Sequence, residues 1–220
     1  MMHLMALALA AAQSTAPIRT GVTLAAPVTT KGQPATFDLA GFRLGMSEAE
    51  VEQVLQTRGM TVRRRARGTT FEDNVRGLVN VRGGRLPLKG EKVLESAEFD
   101  DGKGGKVMLR MLPWPDGARV RSVAYLPPAG TDPAAWRTLL VERFGVPARD
   151  SDRINGEGLR AAWCGQASCS GEGTRFRLDA TVNAQGGEIV LAQPEGTAQT
   201  LGKAVEDEAT RRAPSGVPAP

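Results

Sequence analysis

The strongest constraint on the fold is a helix start and stop pattern written twice along the chain. Ser47 precedes an acidic stretch, and Glu50 three residues on completes a capping box. Val51, Val54 and Leu55 then form one apolar stripe, Gly59 supplies the stop, and Glu48, Glu50 and Glu52 near the start favour the helix dipole. Further on, Asp132 caps a second helix with Pro133 at its first position. Trp136, Leu139 and Leu140 repeat the spacing of the first stripe, and Phe144-Gly145-Val146-Pro147 ends it. Trp136, on this stripe, and Trp163, in an apolar run, are assigned to the core.

Each helix is followed by segments that read as antiparallel strands. They are Thr61–Arg67, Val93–Phe99, Lys106–Leu112 and Arg119–Leu126, then Leu159–Cys164, Thr174–Asn183 and Glu188–Ala192. A one-striped helix needs a sheet to cover, so the expected class is α+β: two helix-plus-antiparallel-meander units forming one layer of sheet covered by helices. The units span residues 36–128 and 129–195, with a single undivided α+β domain as the alternative. A polar helix over 196–212 and a loose, proline-containing tail over 213–220 complete the chain. Ahead of the first helix, Phe37 and Leu39 alternate with polar or small residues, as do Phe42 and Leu44, but the pairs are one residue out of phase. A bulge at Gly41 would return all four side chains to one face.

The N-terminus sets the expected compartment. Leu4–Ala12 is an unbroken apolar run ending in three alanines, the pattern of a short secretory signal cleaved near Ala12, although no Lys or Arg precedes it. Residues 13–35, rich in Ala, Thr, Pro and Gly, read as a flexible linker. No stretch reaches the length of a membrane span. The expected location is periplasmic or secreted. Cys164 and Cys169, the two cysteines of the 220-residue chain, are most simply a disulfide in that setting.

The single histidine, His3, lies inside the expected leader. Ser-His-Asp and Cys-His catalysis and His-ligated zinc are therefore excluded from the mature chain. No cofactor, no metal site and no catalytic residue is read. Catalysis by paired carboxylates needs no histidine, and Asp100, Asp101, Asp150, Asp152 and Glu172 keep a hydrolase of cell-wall or sugar polymers open as an alternative.

Local charge is the other distinctive feature. Between Arg58 and Lys92 ten Arg and Lys face three acidic residues, an excess of seven in a chain whose net charge is +4. Such an excess attracts anionic partners: lipid or lipopolysaccharide head groups, cell-wall polymers, or an acidic protein face. Nucleic acid is read against, because export argues otherwise and Phe71 is the only aromatic nearby for base stacking. The plain alternative is a solvated strand face. Trp114, flanked by Pro113 and Pro115, ends a strand and is a candidate interface anchor. The candidate binding residues are Arg63, Arg64, Arg65, Arg67, Arg82, Arg85, Lys89 and Trp114.

The stretch Phe37-Asp-Leu-Ala-Gly-Phe-Arg-Leu-Gly-Met-Ser-Glu-Ala-Glu-Val51 resembles the opening of a set of uncharacterised exported proteobacterial proteins. Leu140-Val-Glu-Arg-Phe-Gly-Val-Pro147, followed by Trp163 and Cys164, resembles their second half. The helix-then-sheet unit is also similar to that of the BamE/SmpA-like lipoproteins and, in tandem, of the β-lactamase inhibitory protein. The resemblance implies a non-catalytic envelope module and carries no catalytic residue. The chain departs from BamE in lacking the lipid-bearing cysteine. The expected function is therefore an exported binding or envelope-associated module that recognises an anionic envelope component or a protein partner. Besides the hydrolase, an inhibitor-like protein gripping one enzyme stays open.

Overall fold

In the computed structural model, residues 30–87, 90, 92–152, 158–165, 169 and 175–213 are described. The leader, the linker up to residue 29, Lys89, Glu172 and the tail from 214 lie outside them. In chain order the elements are β1 (Asp38–Leu39), β2 (Phe42–Arg43), α1 (Glu48–Arg58), β3 (Thr61–Gly68), α2 (Phe71–Arg82), β4 (Val93–Asp100), β5 (Lys106–Trp114) and β6 (Gly117–Leu126). They continue as α3 (Pro133–Phe144), β7 (Arg149–Asp152), β8 (Gly158–Trp163), β9 (Arg177–Asn183), β10 (Gly186–Ala192) and α4 (Gly196–Arg212).

The helix starts form as their caps require. Ser47 Oγ accepts from the Glu50 N–H while the Glu50 carboxylate accepts from the Ser47 N–H, and Gly59 closes α1 in the left-handed region. Asp132 accepts from the Ala134 N–H with Pro133 leading α3. The chain is α+β. Eight strands form one antiparallel sheet in the order β3-β4-β5-β6-β10-β9-β8-β7, so two four-stranded meanders meet where β6 pairs with β10.

Both helices and the short β1–β2 hairpin contribute to one core against this sheet. Val51 and Leu55 of α1, Leu140 and Phe144 of α3, and Phe37, Leu39 and Phe42 of the hairpin region share it. The sheet supplies inward residues such as Phe99, Val107, Leu109, Val123, Leu178 and Ile189. An aromatic stack ties the N-terminal segment to the second half: the Phe37 and Phe144 rings lie 4.4 Å apart, and Trp163 meets Phe144 edge-on. The Trp163 indole N–H donates to the Gly145 carbonyl at 2.7 Å, which satisfies its polar end. A second, smaller packing joins α2 to α4, where Val75, Leu201 and Ala209 are buried.

Several expectations are corrected. Phe37–Leu44 is not one bulged strand. Ala40 (φ 55°) and Gly41 (φ 94°) form a two-residue turn, so Leu39 pairs with Phe42 and the phase slip is a chain reversal. Residues 71–82, read as part of a strand-and-loop region, form α2, capped by a reciprocal Thr70–Asp73 box. Arg149–Asp152 adds an eighth strand. Residues 30–35, expected as linker, are anchored: the Gly32 N–H donates to the Phe144 carbonyl and Pro34–Thr36 forms a 3-10 turn. Trp136 is only half-buried and Leu139 is exposed, so the α3 stripe is core at Leu140 alone of the three. Cys164 and Cys169 lie at disulfide distance, with Cα atoms 5.6 Å apart. Among the described residues no helix is long and apolar enough to cross a membrane.

Candidate functional site

The predicted binding residues that are described lie on β3, on α2 and just beyond it, and at the end of β5. Strand β3 is one edge of the sheet, and bulges interrupt its register with β4 at Val62/Arg64 and Ala66/Arg67. Most of its arginines have acidic neighbours. Arg63 pairs with Asp100, Arg65 with Glu52 at 2.8 Å, and Arg67 with Glu48 at 3.1 Å while also donating to the Lys92 carbonyl. Arg64 stands opposite Glu98 in the ladder and has no ion-pair partner among the described residues. On α2, Arg82 meets Glu206 and the Thr210 hydroxyl of α4, and Arg85 is exposed beyond the helix end. Trp114 ends β5 opposite Gly117 and is half-buried. Glu48, Glu52, Asp100 and Glu206 all come from outside the Arg58–Lys92 segment, so a local charge count overstates the cationic field there.

Among the described residues, the carboxylates of the hydrolase alternative fall into two separate pairs, Asp100–Asp101 and Asp150–Asp152. Asp100 and Asp101 follow one another at the end of β4, whereas Asp150 and Asp152 lie on β7 with five strands between. Six steps of ~4.8 Å separate the strands by roughly 29 Å, beyond the reach of any two-carboxylate mechanism. Asp150 is ion-paired with Arg137 at 2.7 Å. Among the described residues no group of three or more His, Cys, Asp or Glu is arranged to hold a metal ion.

A different site lies between α1 and α3. A half-open groove of about 460 Å³ is lined by Leu39 and Ala40 of the hairpin, Arg58 and Met60 at the end of α1, Asp101 and Lys103 of the β4–β5 turn, Tyr125 of β6, and the α3 residues Trp136, Leu139, Leu140, Arg143 and Phe144. It exists because the two helices cover the sheet without meeting over it. On α1 the stripe seats on the core, with Val51 at 0% and Leu55 at 5% exposure and Val54 partly buried against them. On α3 Leu140 is 2% exposed, but Leu139 beside it is 49% exposed, on the groove rim.

The polar groups around this floor are fixed by the turns that carry them. Asp101 Oδ1 accepts from the N–H groups of Lys103 (2.7 Å) and Gly105 (2.9 Å), and Oδ2 accepts from the Tyr125 hydroxyl at 2.8 Å. Burial alone would raise the Asp101 carboxyl, yet these donors and the nearby Lys103 charge outweigh it and hold the group below the usual carboxylate range. Burial, then the bond to Asp101, pushes the Tyr125 hydroxyl well above its ordinary value. Asp101 is thus an ionised anchor for Tyr125, whose ring packs 5.6 Å from Trp136. No proton-transfer role follows from that arrangement.

The hairpin turn brings two guanidinium groups to the same end of the groove. Buried Asp38 accepts from the Gly41 N–H at 2.7 Å and from Arg143 at 2.9 Å. Arg58 packs against Gly41, so close that a β-carbon there would come within 2.3 Å of its Nε. Glycine suits this position because its φ is positive, and a side chain there would displace the end of Arg58. Arg58 has no acidic partner among the described residues, and the Lys103 ammonium forms no ion pair within 4 Å.

Of these groove residues, sequence alone offers Asp101 only as a carboxylate of the hydrolase alternative and Arg58 only as the first residue of the basic segment, and it does not single out Lys103, Arg143 or Tyr125. The local signal was present only for α3, whose stripe is wider than its buried part. No protein-family profile, no curated protein and no solved structure matches this chain.

Proposed function

We propose that this chain is an exported, non-catalytic binding module of the cell envelope that takes an anionic partner, with the groove between α1 and α3 as its seat. The observation that carries this reading is the contrast in pairing. Arg63, Arg65, Arg67 and Arg82 each have an acidic partner within the chain, whereas Arg58 and Lys103 form no ion pair among the described residues and line an apolar floor, which Arg64, likewise without an ion pair, does not. A cation without an internal partner is the one that gains most from an external anion. Export through a leader ending near Ala12, a periplasmic or secreted location and kinship with BamE-like modules complete the proposal, supported by the Cys164–Cys169 pair.

The test is a pulldown from periplasmic and membrane fractions with the wild type, an Arg58→Ser/Lys103→Ser variant and an Arg63→Ser/Arg65→Ser/Arg67→Ser variant. Capture by the wild type should fade as salt rises through roughly 0.1 to 0.5 M. It should be lost in the groove variant and kept in the edge variant. The opposite ranking would return the site to β3.

A further inference from the structure

We infer that the groove takes a polypeptide segment in which a carboxylate sits next to a leucine- or phenylalanine-like side chain. This rests on the reading of the groove as the binding seat and adds the chemistry of its occupant.

The polar lining offers donors and almost no acceptor. Arg58 and Lys103 are free of ion pairs, Arg143 uses part of its guanidinium fork on Asp38, and the Trp136 indole N–H has no acceptor among the described residues. Asp101, the carboxylate in the lining, already accepts three hydrogen bonds and has little capacity left. A ligand carboxylate meets Arg58, packed against Gly41, and Arg143, held by Asp38, both of which line the groove. Paired guanidinium groups suit a carboxylate because their planar forks match its two oxygens.

The floor selects the remainder of the ligand. Leu39, Met60, Trp136, Leu139, Leu140 and Phe144 give it apolar walls. The volume of about 460 Å³ holds one or two large side chains. The groove is open along one side, so a free amphiphile would leave much of its tail in water. A polypeptide closes that side with its own surface, and it buries the exposed Leu139 as it does so.

The experiment is fluorescence anisotropy of the full chain with a fluorescein-labelled, C-terminally amidated peptide Leu-Glu-Phe-Glu-Leu. Its glutamine counterpart Leu-Gln-Phe-Gln-Leu and unlabelled dodecanoate as a competitor form the other arms. Saturable binding of the acidic peptide is expected, weakened at least tenfold by the glutamine replacement and by Arg58→Ser or Leu139→Ser, and unchanged by Arg63→Ser/Arg65→Ser. Arg58 and Leu139 are exposed, so both variants should fold, and thermal unfolding of each checks this. Binding of the peptide that the groove variants leave intact overturns the inference. Binding of dodecanoate in isothermal titration calorimetry, with no binding of the peptide, also overturns it, while leaving the groove an anion-binding seat. If neither ligand binds, the inference and the reading beneath it both fail.

Discussion

Strand β3 and the groove between α1 and α3 are both cationic, yet their charges are engaged differently. On β3 the arginines project from an exposed sheet edge, and Glu48 and Glu52 of α1 together with Asp100 of β4 meet three of them. Arginines and bulges of this kind are what an edge strand uses to resist pairing with another chain. Around the groove the anions are committed elsewhere: Asp38 to a turn N–H and Arg143, Asp101 to two turn N–H groups and Tyr125. On the proposed reading, cation density along a sequence is a poor guide to a binding surface. What matters is which cations the fold leaves without partners, and over what kind of floor.

The largest effect should come from removing the floor itself. Phe144 is fully buried between Phe37 and Trp163, so Phe144→Ala should destabilise the chain by about 3–5 kcal/mol in urea unfolding. Leu139→Ala, on the same helix but exposed, should change stability by less than about 0.5 kcal/mol while weakening ligand capture. If the two variants lost stability equally, the division of α3 into a core side and a ligand side would be wrong. Asp38→Ala should cost about 1–3 kcal/mol, because it strips the acceptor from the Gly41 N–H and from Arg143. Gly41→Ala should cost about 1 kcal/mol from the left-handed backbone and push Arg58 aside, so its loss of anion capture should exceed its loss of stability.

A smaller effect lies in acid. The Lys92 ammonium and the Thr70 hydroxyl hold Asp73 down to about 2, against an ordinary value of 3.8. A folded value below the unfolded one gives stability that is whole above about pH 5 and is lost as the pH falls through the interval from ~4 to 2. The difference in urea midpoint between wild type and Asp73→Asn should shrink over that interval, and a constant difference would show that the capping carboxylate does not act through its charge. Smallest of all, Glu48→Gln/Glu52→Gln should shift stability by less than about 0.5 kcal/mol, since both pairs lie at the surface with half-buried carboxylates and exposed arginines. The same change should raise retention on an anionic resin by freeing Arg65 and Arg67, and unchanged retention would mean that pairing is not what silences the edge.

Local signals were legible in proportion to how local their physics is. The Ser47–Glu50 box, Gly59, Asp132–Pro133 and the alternating strands are settled within a few residues, and they appear where the sequence places them. The helix α2 was equally local, with Thr70 and Asp73 as a box and Val75, Leu78 and Val79 as a stripe, but the arginines around it and Gly77 within it masked the pattern. The hairpin was misread because a phase slip looks the same whether the chain bulges or reverses, and only Ala40 adopting positive φ decides it. The pairing of β6 with β10, and with it the placing of α1 and α3 on one face, is long-range and has no sequence marker. The groove inherits that illegibility. Asp38 reaches Arg143 across 105 residues, and Tyr125 reaches Asp101 across 24.

The proposed seat places an anionic, apolar ligand between α1 and α3 and not along β3. Backbone and indole amide chemical-shift mapping of the uniformly labelled chain with Leu-Glu-Phe-Glu-Leu amide tests it most directly. The predicted result is a saturating set of shifts at Ala40, Gly41, Lys103, the Trp136 indole and the α3 amides through Arg143. Shifts centred on Arg63–Arg67, with the Trp136 indole unmoved, would contradict it.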